Sequence, residues 1–387
     1  MVASIYELGA QELKEGTLCY VEFDKNDELK VFVPVIISRR LYQKFPAKLL
    51  ESSLHPATKI EHLSPADRAF GWVNQQGYGA YRGQVRISEV QYEKCLSGEA
   101  ISEFTNGLPL AILGQPKPQQ ARFYIAKNQQ GEPLETNTSK EAGYKENQRL
   151  RGRKVYPHHQ GTTGRGDWNN PMEDRTQLDD CYQEYRRPKL NDQEQQDNQN
   201  RSITGWVNPG TIFNFDIDVV NLSPVELGAL LWLLDLQKYQ GRDHFHRLGG
   251  GKPLGFGSVR IKVDWSNTDL RQGQDWRSFY SSLLPTGKPD STQASTTVET
   301  FQQAIASAYK QDFINVPFIA AFLQAAKGFN DGKPVHYPRI QRQPNPNGEG
   351  FEWFVANESA NGLRLSLPFL VNDPGLPLNP QIEKQSN

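Results

Sequence analysis

Cysteine is scarce in this chain of 387 residues: Cys19, Cys95 and Cys181 lie far apart, in no metal-ligating spacing and no disulfide framework. Such usage fits a reducing compartment, and a cytoplasmic location is expected. Long apolar runs are missing too. The best one, residues 227–236, is too short for a bilayer, and residues 1–18 contain no apolar signal core, so no membrane partner is expected. Charge of either sign is nearly cancelled, 43 Lys and Arg standing against 44 Asp and Glu for a formal net charge of −1. That excludes a whole-molecule basic field, so any nucleic-acid surface must be local. No internal repeat is found.

What the chain does have is one well-punctuated stretch, residues 203–265, that reads strand, capped helix, glycine loop, strand. Over 211–219, Phe213, Phe215, Ile217 and Val219 alternate with Asn214, Asp216 and Asp218, the period of a half-buried strand. Ser223-Pro224-Val225-Glu226 is a capping box with proline at the first helical position, where its missing N–H costs nothing. The helix offers Leu227, Leu230, Leu231 and Leu234 to the core and stops near Gly241. Arg247-Leu248-Gly249-Gly250-Gly251-Lys252-Pro253-Leu254-Gly255-Phe256-Gly257 follows. Behind it Val259, Ile261, Val263 and Trp265 alternate with Ser258, Arg260, Lys262 and Asp264, a second half-buried strand with a basic polar face.

The order of these parts excludes nucleotide binding. A phosphate-cradling glycine loop leaves a strand and opens a helix, so that the helix N-terminus faces the phosphate. Here the loop leaves a helix and enters a strand, and Lys252 is followed by Pro253 rather than Ser or Thr. Two readings remain. Either the glycines serve only as a tight connector that needs positive φ, or the backbone-rich loop with its fixed cation lies against a polynucleotide backbone.

Elsewhere, 18–23 and 29–38 read as a strand pair turned at Asp24-Lys25-Asn26-Asp27, and 41–50 as a short helical patch. Residues 81–88 read as a strand with Val85 and Ile87 inward and Arg82, Gln84, Arg86 and Ser88 outward. From 114 to 200 periodicity fades into an irregular, partly mobile insertion ending in a Gln/Asn/Asp-rich run. Residues 273–297 read as linker, 298–309 and 316–327 as helices, the second ended by Gly328, and the tail from Pro374 as disordered. The chain thus divides into 1–113, 114–200, 201–265 and 266–387, an α+β protein with a long irregular insertion.

Several groups could carry chemistry. Arg151, Arg153 and Lys154 could hold RNA phosphates while Tyr156 stacks on a base, or form a solvated charge run. His158 and His159, near Lys154 and Tyr156, could act as acid and base on a 2′-hydroxyl, although adjacent side chains diverge on most backbones. Asp216 and Asp218 could share a Mg²⁺ ion, but cross-strand pairing with Arg260 and Lys262 is the favoured reading. Asp67 and Asp167 are loop aspartates that could assist a metal singly. His244 and His246 lack a third ligand nearby. Arg39 and Arg40, with Arg82 and Arg86, recur at strand edges and could line one surface with Lys252.

Three segments together resemble the CRISPR-associated RAMP (repeat-associated mysterious protein) superfamily. They are Phe70-Gly71-Trp72 with Tyr81-Arg82-Gly83-Gln84-Val85-Arg86-Ile87-Ser88, then Pro209-Gly210-Thr211-Ile212-Phe213, then the glycine-rich run from Leu248 to Val259. Arg151-Gly152-Arg153-Lys154-Val155-Tyr156, Glu226-Leu227-Gly228-Ala229-Leu230-Leu231-Trp232 and Tyr337-Pro338-Arg339 further resemble its type III-associated branch. The resemblance implies a ferredoxin-like, RRM-type antiparallel sheet with helices on one face, and a thumb-like role for 114–200. It implies a subunit of a type III ribonucleoprotein that binds crRNA and target RNA alongside other RAMP subunits and the large subunit.

On the same resemblance, RNA contact falls to Gly249, Gly250, Gly251, Lys252, Gly255, Gly257 and Arg82, and further to Arg39, Arg40, Arg151, Arg153, Lys154 and Tyr156. Some such subunits cleave target RNA through one aspartate and a divalent metal, so Mg²⁺ is expected only if cleavage occurs, with no permanently bound cofactor. The family's usual glycine-serine-serine turn opening the first helix is not found, so no catalytic residue is assigned. The chain is expected to lack its own catalytic loop, or to be completed by a neighbour. The enzyme alternative is a metal-independent endoribonuclease that processes repeat RNA through His158, His159, Lys154 and Tyr156.

Overall fold

A computed structural model describes residues 19–34, 42–114, 120–137, 144–151, 155–160, 177–178, 181–182, 185–187, 189–191, 193–196, 200–284, 291–331, 333, 335–342 and 350–381. The protein is α+β, and every sheet among the described residues has two antiparallel strands.

The longest paired feature is a ribbon in which residues 85–109 run antiparallel to 202–219. β5 (Val85–Ile87) pairs with β14 (Ile217–Val219), β6 (Gln91–Cys95) with β13 (Thr211–Asn214), and β7 (Ile101–Pro109) with β12 (Ser202–Val207). The register runs from Val85 opposite Val219 to Pro109 opposite Ser202. Backbone hydrogen bonds Ser88 N to Asp216 O (2.9 Å), Leu96 N to Gly210 O (2.9 Å) and Asn208 N to Ala100 O (2.8 Å) bridge the gaps. The strand expected over 211–219 is therefore broken at Phe215–Asp216. A register shift between Ile212 and Phe213 inserts a bulge, which re-aims the pleat, and Phe213 turns outward. Beyond it the expected alternation holds: Phe215, Ile217 and Val219 are half-buried while Asp216 and Asp218 are exposed. Ile87, expected inward, is exposed.

Five further strand pairs are local. β1 (Cys19–Phe23) and β2 (Leu29–Pro34) make the expected hairpin, its turn held by Asp24 Oδ1 accepting from Asn26 N and Glu28 N. β3 (Trp72–Val73) pairs with β4 (Ala80–Tyr81), β8 (Ile125–Ala126) with β9 (Arg149–Leu150), and β10 (Gln177–Leu178) with β11 (Cys181–Tyr182). β15 (His246–Arg247) pairs with β16 (Ser258–Val259). Ladder pairing stops there, short of the strand expected to Trp265, yet Val259, Ile261, Val263 and Trp265 stay half-buried and Arg260, Lys262 and Asp264 exposed.

The helices are α1 (Pro65–Phe70), α2 (Pro224–Leu234), α3 (Leu236–Gln240), α4 (Gly273–Ser282), α5 (Ser291–Tyr309), α6 (Pro317–Lys327) and α7 (Glu352–Asn357). α2 starts at the expected capping box: Ser223 Oγ accepts from Glu226 N, and Glu226 Oε2 accepts from Ser223 N at 2.9 Å. Its Gly228, Leu231 and Trp232 are buried, and α5 packs against it at Gly228, where an added Cβ would lie 2.2 Å from Thr297 O. Trp232, 2 % exposed, fills the core between the rings of Phe301, Phe313 and Phe322.

Other expectations need correction. Pro46 forces its predecessor Phe45 into extended backbone, so 42–50 carries only a short 3-10 turn, Pro46–Leu49. The expected linker 273–297 contains α4 and the first third of α5. Asp275 caps α4 through the Gln272 N–H, a signal masked by the Gln/Ser/Thr-rich composition. The insertion contributes to the core: Ile125 and Tyr144 pack with Leu49, and Tyr185 with Phe104 and Leu108. The tail is docked as far as Gln381, with Trp353 Nε1 donating to Pro377 O (2.9 Å) and Leu363 N to Pro380 O (2.8 Å).

Candidate nucleic-acid interface

The glycine-rich run is the turn of the β15–β16 hairpin. Leu248 N donates to Gly257 O at 2.8 Å and closes it. Gly257 has φ +75°, and a Cβ there would lie 1.8 Å from Leu248 O, so only glycine fits. A 3-10 turn, Lys252–Leu254, sits between left-handed Gly251 and Gly255. Leu254 is buried with Phe104, Leu108 and Tyr185, and the Phe256 ring lies 5.7 Å from that of Trp206, which anchors the hairpin on the β7–β12 end of the ribbon. Gly249 and Gly250 differ from these: both are exposed, and an added Cβ would meet nothing within 4 Å. The connector reading thus accounts for Gly251, Gly255 and Gly257, and for Gly249 by its φ of +78°, and leaves Gly250 at the crest of an open backbone tip, 249–250.

Two cations underlie that tip. Arg247 donates through Nη2 to Lys252 O (2.9 Å) and through Nη1 to Ser258 Oγ. Burial lowers its pKa to about 10, so it stays charged at neutral pH. Lys252 Nζ folds back onto Gly249 O at 2.6 Å. A polyanion at the tip would meet one exchangeable ammonium and one fixed guanidinium.

The first motif segment builds a second feature. A Cβ on Gly83 would lie 2.7 Å from Phe70 C, so backbone meets backbone where residues 69–71 and 82–84 cross, and Gln84 N donates to Ala69 O at 2.9 Å. The crossing leaves an open concavity lined by Phe70, Trp72, Tyr81 and Arg82, with the Phe70 ring 65 % exposed and Arg82 exposed. Arg68 Nε reaches Glu226 Oε1 at 2.6 Å and so joins α1 to the start of α2. Burial of the Glu226 carboxyl works against its ionisation, but hydrogen bonds from Ser223 and Arg68 outweigh it and hold the group below the usual carboxylate range. No hydrogen bond, ion pair or ring contact joins Arg82 to the glycine turn among the described residues.

Of the basic patch, Arg151 and Tyr156 lie among the described residues. Arg151 donates through Nη2 to Pro368 O (3.1 Å), binds Leu367 O through Nη1, and lies 5.7 Å from the Phe369 ring. It clamps the C-terminal segment. Tyr156 is half-buried, and Arg39, Arg40, Arg153, Lys154 and Asp167 lie outside the described residues.

His158 and His159 are buried. His158 Nδ1 lies 2.8 Å from Ser258 Oγ, and its ring sits 4.4 Å from that of Phe245. Burial, then the charge of Arg247, depresses their pKa values to about 4 and about 3, so both are neutral packing groups at pH 7.

Of the candidate aspartates, Asp67 serves structure. Asp67 Oδ2 accepts from Ser64 N (2.9 Å) and Ser64 Oγ (2.7 Å) in the capping box of α1. Asp218 stands opposite Arg86 across β14 and β5, so its cross-strand neighbour is Arg86 rather than Arg260 or Lys262. Asp216, two residues earlier, is exposed, its N–H donating to Ser88 Oγ at 2.8 Å. Among the described residues no three His, Cys, Asp or Glu side chains converge as the ligands of an all-protein metal site do. Arg247 was the residue that motif spacing left out. Its position two residues before the first glycine was visible, but its fold-back onto Lys252 O is a property of the closed hairpin.

No protein-family model matches the chain, and no curated protein matches it.

Proposed function

We propose that this protein is an RNA-binding subunit of a type III CRISPR ribonucleoprotein effector, holding crRNA and the guide–target duplex beside other RAMP subunits and the large subunit. The observation that supports it is the glycine turn: an open backbone tip at Gly249–Gly250 above Arg247 and Lys252, pinned to an aromatic core by Leu254 and Phe256. A tip with no side chains admits close approach of a phosphate backbone, and contacts of this kind hold RNA without reading its sequence. The ferredoxin-like, RRM-type sheet belongs to the same proposal. It is supported by the order β14, capped α2, glycine turn and the alternating burial through Trp265. No catalytic residue is part of the proposal, and the burial of His158 and His159 gives the repeat-processing alternative no surface acid–base pair.

The test is co-expression with the neighbouring genes, purification, and sequencing of bound RNA. Uniform RNAs with a repeat-derived end, together with RAMP subunits, are the expected result. A chain that purifies without RNA or partners would overturn it.

A further inference from the structure

The two ends of the ribbon differ. At the β7–β12 end Phe104, Leu108, Ile203 and Trp206 enter the core. Along the rest, apolar side chains face water: Ile87, Val90, Tyr92, Leu96, Ile101 and Val207 are all more than half exposed. They are matched across the strands. Tyr92 stands opposite Phe213 with ring centroids 6.0 Å apart, and Ile101 stands opposite Val207. Each of β5, β6, β13 and β14 has one strand partner among the described residues, so both outer edges carry unpaired ladder positions. A lone two-stranded ribbon is marginal in water, and an exposed apolar edge is a template for a further strand.

Charge selects the occupant. Residues 85–109 and 202–219 carry six carboxylates, Glu89, Glu93, Glu99, Glu103, Asp216 and Asp218, against only Arg86 and Lys94. Lys94 is already paired with Glu93 at 2.9 Å, and Arg86 faces Asp218. An acidic ribbon repels RNA and repels a second copy of itself.

We infer that this stretch is a docking edge for an extended segment of another protein, whose side chains alternate apolar and basic and which adds as a third strand. Ladder hydrogen bonds would supply affinity, and the apolar and basic side chains register and selectivity. The inference rests on exposed ribbon residues and not on the open tip of the glycine turn, so this reading and the proposed RNA contact can fail separately.

The test uses the full chain and three peptides of equal length: alternating lysine–valine, alternating glutamate–valine, and alternating lysine–proline, which keeps the charge but removes alternate N–H donors. The lysine–valine peptide is expected to bind at least about tenfold more tightly than either control. It should protect amides of residues 85–101 or 207–219 from hydrogen exchange, and Tyr92→Ser with Ile101→Ser should weaken it about tenfold. If that variant is poorly folded, the comparison of peptides on the unaltered chain still decides. Equal binding of the lysine–proline peptide, or protection elsewhere, would overturn the inference. So would protection of the ribbon by a uridine-rich RNA, or by concentration-dependent self-association.

Discussion

The guanidinium of Arg247 donates to the carbonyl of Lys252 at 2.9 Å and holds the underside of the glycine turn. One residue thereby fixes the shape of the loop and keeps a charge beneath its tip. Arg247→Met should lose both, since it removes donors to Lys252 O and Ser258 Oγ from a largely buried place. A cost of about 1–3 kcal/mol is expected in urea unfolding, with weaker RNA binding. Unchanged stability would show that these hydrogen bonds are made equally well by water.

The glycines of the turn should separate into two classes. Gly257→Ala places a methyl 1.8 Å from Leu248 O at positive φ, and a loss of at least about 1–3 kcal/mol is expected. Gly250→Ala meets open space and should leave the melting temperature unchanged while weakening RNA binding. Equal thermal effects of the two substitutions would contradict the division into anchor and open tip.

Acid should weaken the fold through its histidines. His158, His159 and His336 have pKa values depressed from 6.5 to about 4, about 3 and about 4, by burial first and then by Arg247 beside the first two and Arg339 beside the third. Below pH 6.5 the unfolded chain takes up protons that the folded chain refuses. Their contribution is complete above pH 6.5 and is lost as pH falls towards 4 and then 3. Urea midpoints measured from pH 7.5 to 4.5 should fall, and His159→Gln should flatten the fall. A midpoint constant across that range would exclude the effect.

The helical body should depend on one indole. Trp232 sits among Phe301, Phe313 and Phe322 at ring distances of 5.9, 5.2 and 5.6 Å. Trp232→Ala should cost about 3–5 kcal/mol in denaturant unfolding. A loss below 1 kcal/mol would mean that α5 and α6 repack freely.

Local signals were legible in the sequence and distant ones were not. The Ser223–Glu226 capping box, the turn at Asp24–Asp27 and the end of α6 at Gly328 are set by residues within a few positions of one another, and each stands where pattern places it. The half-buried alternation from Val259 to Trp265 was also legible, although backbone pairing covers only its start. The ribbon could not be read, because Val85 meets Val219 across more than a hundred residues and neither strand names its partner. For the same reason the buried ion pair of Arg122 and Glu358, at 2.8 Å, has no local trace. In the candidate site, the glycines and Lys252 were visible, but the engagement of Arg151 by Leu367 and Pro368 depends on a segment far along the chain.

The central claim is tested most directly by a salt titration of RNA binding for the unaltered chain and for Lys252→Ala. If the turn grips phosphate, the variant should bind all RNA sequences more weakly by a similar factor. Its slope of log affinity against log salt should shrink by about 0.7 for the lost phosphate contact. An unchanged slope and affinity would place RNA, if it binds at all, away from the glycine turn.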